Sequence, residues 1–120
     1  MFDIKFYEDS AGREPIVEYI DDLRAKSAKI KTDRIKYKAL MRYLTILSEH
    51  GVLAGEPYVK HIVDDIWELR PIDDRIFFFY WKDETYVMLH HIVKTGQKLP
   101  QREIDQAKRN KQDFLERNSN

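Results

Sequence analysis

The sequence contains no cysteine, which removes a disulfide framework, a thiolate nucleophile and a thiolate metal site, and fits a reducing cytoplasm. It has no apolar run approaching the length of a membrane span, and the opening MFDIKFYEDS has no basic stretch leading into an apolar core. A cytosolic protein without membrane contact is therefore expected. Glycine and proline are scarce, 4 of each in 120 residues, which leaves no room for a linker or low-complexity tract and makes each a marker of an element boundary. Net charge is absent as well, 21 basic groups against 21 acidic ones, a balance that by itself discourages a nucleic-acid reading. A metal site would have to be drawn from His61, His90, His91, Asp64 and Asp65, whose spacing matches no zinc pattern, so no metal and no cofactor is expected.

What the chain does have is an apolar, aromatic centre. At 120 residues it fits one domain, 1–120, with a core that needs no staples. Ile76 to Trp81 is apolar on both alternating faces, as in a central strand covered on each side. Ile66 to Pro71, turning through Ile72-Asp73-Asp74, supplies one neighbour, and Tyr86 to Val93, turning through Lys82-Asp83-Glu84, supplies the other. The result is an antiparallel meander. Along its first strand Trp67 and Leu69 alternate with Glu68 and Arg70, so one face is apolar and the other sets a carboxylate beside a guanidinium. Arg75, His90, His91, Lys94 and Lys98 fall at strand ends that converge on one cleft.

Ahead of the meander, Phe2, Ile4 and Phe6 alternate with polar residues as a strand, and Pro15 opens a helix with Ile16, Tyr19, Ile20 and Leu23 as its stripe, to about Lys26. A longer helix is expected from Lys29 or Thr32 to His50, stopped by Gly51. Val52 to His61 reads as a loop that delivers Lys60 and His61 to the cleft. After the meander come a turn over Thr95–Lys98 and a helix opened by Pro100, with a thin apolar stripe and a fraying end over 116–120. The predicted fold is α+β, in the order β-α-α-β-β-β-α, with helices against one face of an antiparallel sheet.

Charge is unevenly spread despite the zero total. Residues 24–50 hold 8 basic and 2 acidic groups and residues 93–120 hold 7 and 4, so two helices concentrate positive field or simply present solvated faces.

The combination of Trp67-Glu68-Leu69-Arg70-Pro71, the Arg75-Ile76-Phe77-Phe78 strand and Leu89-His90-His91-Ile92-Val93-Lys94 leading to Gln97-Lys98-Leu99-Pro100 resembles the HigB-type toxins of the RelE/ParE superfamily. Phe6-Tyr7-Glu8-Asp9 with Gly12-Arg13-Glu14-Pro15, and Gly55-Glu56-Pro57-Tyr58-Val59-Lys60, extend the resemblance over nearly the whole chain. Thr95, Gly96 and Leu99 depart from it, replacing a lysine and two threonines. The resemblance implies the toxin of a type II toxin–antitoxin pair, a metal-independent endoribonuclease that cleaves mRNA in the ribosomal A site. It also implies a HigA-like helix-turn-helix antitoxin as partner, with operator DNA reached only through that antitoxin. Within the superfamily the alternatives are a ParE-like gyrase poison and a degenerate antitoxin-binding co-repressor.

RNA cleavage without metal needs the 2′-OH deprotonated and aligned, positive charge on the phosphorane-like transition state, and a proton for the leaving oxygen. Arg75 is expected to supply the charge, with Arg70 as runner-up. Lys60, Lys94 and Lys98 are the expected phosphate contacts. His90 and Glu68 compete as acid or base. Each has a plainer reading: Arg70 pairing with Glu68 or an aspartate of the turn, one of the two histidines packed because they face opposite ways, and Phe77, Phe79 and Trp81 as core rather than base-stacking surface.

Overall fold

The computed structural model describes residues 1–94, 96 and 98–119. The turn expected over Thr95–Lys98 falls partly on Thr95 and Gln97, and the fraying end partly on Asn120, all three outside the described residues. The elements are β1 (Asp3–Phe6), α1 (Pro15–Ser27), α2 (Lys31–His50), a short 3-10 turn (Gly51–Ala54), β2 (Val59–Val63), β3 (Ile66–Leu69), β4 (Asp74–Lys82), β5 (Thr85–Val93) and α3 (Gln101–Arg117).

The α+β class holds, with three departures from the expected layout. First, Val59–Val63 is a strand, not loop: β2 pairs antiparallel with β3, Lys60 opposite Glu68 and His61 opposite Trp67. It is an edge strand whose exposed Lys60 and His61 hide the apolar alternation. Second, the five-stranded sheet is mixed, in the order β1-β5-β4-β3-β2, because β1 returns to pair parallel with β5, Phe6 beside Met88. That parallel return is possible because α1 and α2 supply the long crossover such pairing requires. Third, the helices occupy both faces. Leu23 of α1 and Leu40 and Leu47 of α2 pack with Ile76, Phe78 and Met88, whereas Phe114 of α3 packs with Phe79, Val87 and Leu89, and Ala107 with Ile66 and Phe77.

Two-sided cover explains why β4 is apolar on both faces. Phe77 and Phe78 are wholly buried on opposite sides, each contributing about 2–3 kcal/mol from burial. The α3 stripe is sufficient for its face, and its last turn is tied down: the Arg117 guanidinium donates to Asp113 at 2.7 Å and to the backbone oxygen of Glu8. Tyr7 donates to the same Asp113 at 2.6 Å, and burial, with Asp113 beside it, pushes the Tyr7 hydroxyl up to about 12. Gly51 ends α2 with φ of 62°, and a Cβ there would lie 2.8 Å from the Tyr86 hydroxyl and 2.9 Å from the Phe2 ring, so both backbone and space demand glycine.

Candidate active site

The turn from β3 to β4 builds the site. Arg70 and Arg75 stand on either side of Pro71-Ile72-Asp73, closed by Asp74 N–H donating to the Pro71 carbonyl at 3.1 Å. Lys94 N–H donates to the Asp73 carbonyl at 2.7 Å, which fastens the end of β5 to the turn and brings Lys94 next to Arg75. The β2–β3 hairpin adds Lys60. These four cations, with Tyr43 of α2 and Asp74, line a cavity of about 400 Å³. Ile72, half-exposed on its rim, has φ of 57°, a left-handed conformation that a β-branched residue adopts only under strain of about 1–3 kcal/mol.

Beneath the arginines lies Glu68, 1% exposed. Arg70 Nε is 3.3 Å from its Oε1 and Arg75 Nη1 is 3.9 Å from its Oε2. Burial pushes the Glu68 carboxyl up, against the opposing pull of Arg75, Arg70, Lys60 and Lys94. Arg75 is itself 7% exposed, and among the described residues its Nε and the Glu68 Oε2 have no hydrogen-bond partner. A buried guanidinium N–H is rarely left unpaired in a purely structural role; the Nε itself is enclosed, while Arg75 as a residue lines the cavity.

Asp74, fully buried on the other face of β4, is differently placed. Its Oδ1 accepts from Tyr19 at 2.6 Å and from His91 at 3.0 Å, with Lys36 at 3.9 Å. Burial alone would raise its carboxyl, but hydrogen bonds from His91 and Tyr19 outweigh it and hold Asp74 below the usual carboxylate range. Burial and Asp74 together push the Tyr19 hydroxyl up, so it stays a donor.

Of the residues expected at one cleft, Lys60, Arg70, Arg75 and Lys94 are brought together, with Glu68 enclosed behind the arginines. Lys98 lies beyond Lys94 in a narrow gap of about 50 Å³ that Arg75 also lines. The histidines divide between the two faces, as the alternation requires, and neither lines the Arg75 cavity. His91 stacks on Tyr19 at 3.9 Å between centroids and serves Asp74. His90 Nε2 is 2.9 Å from Glu103 Oε1 of α3 and borders a separate open cavity. Phe77 and Phe79 are core, and Trp81 packs on Phe114. His61 bonds the Asp64 carbonyl at 2.7 Å, and no cluster of three or more His, Cys, Asp or Glu among the described residues is placed to hold a metal ion.

Asp74 and Tyr43 line the cavity without standing out in the sequence as residues that would. Asp74 reads as part of the Ile72-Asp73-Asp74 turn, and Tyr43, one of two tyrosines on α2, carries no signal of its own.

The model of one protein family, described as phage-derived protein Gp49-like (DUF891), matches residues 18–112. No curated protein matches the chain. The matched span takes in Tyr43, the whole β2–β5 sheet with its four cavity cations, and α3 as far as Gln112.

Proposed function

Because the chain belongs to the phage-derived Gp49-like family, a toxin-like family of RelE/HigB type found in toxin–antitoxin systems, we propose that it is the toxin of a type II pair. In this reading it cleaves mRNA on the ribosome and is neutralised by a HigA-like antitoxin. The observation that carries the nuclease reading is Arg75, a buried arginine that lines one cavity together with Lys60, Arg70 and Lys94.

A phosphate entering that cavity meets the Arg75 fork as charge develops on its non-bridging oxygens, where a preorganised donor lowers the barrier most. Arg70, Lys60, Lys94 and Lys98 neutralise the phosphates around it. Glu68, enclosed below, holds the two arginines in place as their shared counter-ion. Proton transfer is assigned to His90, whose ring is held by Glu103 and which must reach the phosphate from the neighbouring cavity over α3.

Primer extension on a translated mRNA after brief induction tests the proposal. Wild type should produce discrete new 5′ ends inside translated codons, absent with Arg75→Ala and absent when translation is blocked. Growth arrest without such ends would replace the nuclease with a gyrase-type poison, and no arrest at all would leave an antitoxin-binding module.

A further inference from the structure

The Arg75 cavity does not end at Arg75. It shares wall residues with the narrow gap, about 50 Å³, and the gap shares others with an open cavity of about 520 Å³ over α3. The continuity lies in the walls: Arg75 and Lys94 line both the first cavity and the gap, and Arg102 and Glu103 line both the gap and the third space. The far cavity is bounded by His90, Gln106, Arg109 and Asn110. We propose that these three spaces form one two-lobed groove for single-stranded RNA, with the phosphate between two nucleosides held in the gap at Arg75 and the second nucleoside lying over α3. The proposal rests on the nuclease reading and names how its substrate is held.

Size fits this division. The gap admits a phosphate group but not a base or a ribose, while each lobe falls in the range of small-molecule sites. Charge fits as well. Lys60, Arg70, Arg75, Lys94, Lys98 and Arg102 line the first cavity and the gap, on a chain whose net charge is zero. The gap also opens at Leu99 and Pro100, where the N-terminus of the 17-residue α3 adds its partial positive charge. Arg75, which lines both the gap and the first cavity, is the cation a phosphate there would meet.

An acidic peptide is the other polyanion to consider, and the carboxylates disfavour it. Glu56 and Asp74 line the first lobe and Asp9 and Glu103 the second. They repel acidic side chains, whereas nucleotides carry amino and hydroxyl donors that carboxylates accept alongside the phosphates that cations bind. Tyr43 in the first lobe gives a base a ring to meet.

The test is fluorescence anisotropy with a labelled hexanucleotide whose riboses carry 2′-fluoro groups and so cannot be cleaved. Wild type is compared with Arg102→Ala/Arg109→Ala and with Lys29→Ala/Lys31→Ala, a pair of equal charge change away from the groove. The α3 pair should weaken binding about tenfold and lower the slope of log affinity against log salt by about 0.7 for each phosphate no longer neutralised; the control pair should change neither by more than about twofold. Equal effects of the two pairs, or wild-type binding no tighter than that of a labelled hexaglutamate, would overturn the groove. Arg75-dependent mRNA ends with RNA binding indifferent to α3 would remove the groove alone, and α3-dependent binding without such ends would remove only the nuclease reading.

Discussion

Asp74 and Arg75 are adjacent in the chain and both buried, and β4 sends them to opposite faces of the sheet, where they meet different company. Asp74 receives a phenol and an imidazole within 3.0 Å on Oδ1, its Oδ2 having no partner among the described residues; Arg75 has a carboxylate 3.9 Å away and an Nε with no partner among the described residues. The pKa directions follow the same division, downward for Asp74 and upward for Glu68, the counter-ion of Arg75. The Oδ1 bonds of Asp74 tie α1 and β5 to the start of β4 and so do structural work. Both residues line the cavity, and of the two it is the Arg75 guanidinium, beside three other cations, that suits an arriving anion.

Removing each partner in turn sharpens that contrast. Arg75→Ala should leave the fold intact and lower cleavage of ribosome-bound mRNA by at least about a hundredfold, on the order of 3 kcal/mol of transition-state stabilisation, read as single-turnover rates. Asp74→Ala should act on stability: stranding Tyr19 and His91 around an empty position costs about 3 kcal/mol, measured by urea unfolding. Tyr19→Phe removes only the hydroxyl donated to that carboxylate and should cost about 2 kcal/mol. The smallest change should be a gain, with Ile72→Gly releasing the left-handed strain at the cavity rim for about 1 kcal/mol, visible as a raised unfolding midpoint.

The two acids should also oppose each other across pH. Asp74, depressed in the folded state, contributes stability above its ordinary value of 3.8 that is lost as pH falls through its lower folded value. Glu68, raised in the folded state, contributes stability present below its ordinary value of 4.5 and lost as pH rises through its higher folded value. Glu68→Gln should therefore flatten the decline on the alkaline side of 4.5 and leave the acid limb unchanged, checked by urea midpoints across pH.

Those contrasts are only partly legible in the sequence. The double-faced run Ile76–Trp81 announces a central strand, Pro15 and Gly51 mark helix ends, and Asp83-Glu84, with φ of 51° and 57°, closes the hairpin expected over 82–84. The parallel docking of β1 leaves no local trace, because a partner about 80 residues away does not alter a two-residue period. For the same reason α3 cannot be assigned a face. In the site, Arg70, Arg75 and Lys94 are identifiable because each lies at a strand end of the meander, and Lys60 because the segment expected as a loop over 52–61 delivers it there. His90 is expected beside them, but strand alternation and its bond to Glu103 carry it over α3, and nothing in Leu89-His90-His91 foretells that partner. Asp74 reads as a turn residue, since Ile72-Asp73-Asp74 has turn composition and only the three-dimensional approach of Tyr19, Lys36 and His91 shows its second role.

The most direct measurement is the single-turnover cleavage rate of ribosome-bound mRNA for Arg75→Ala beside Tyr19→Phe, with urea unfolding of the same preparations. The account predicts a double dissociation: Arg75→Ala loses cleavage at nearly unchanged stability, and Tyr19→Phe loses stability while cleaving at close to the wild-type rate under folding conditions. Arg75→Ala that unfolds as Tyr19→Phe does, or cleaves as wild type does, would contradict it.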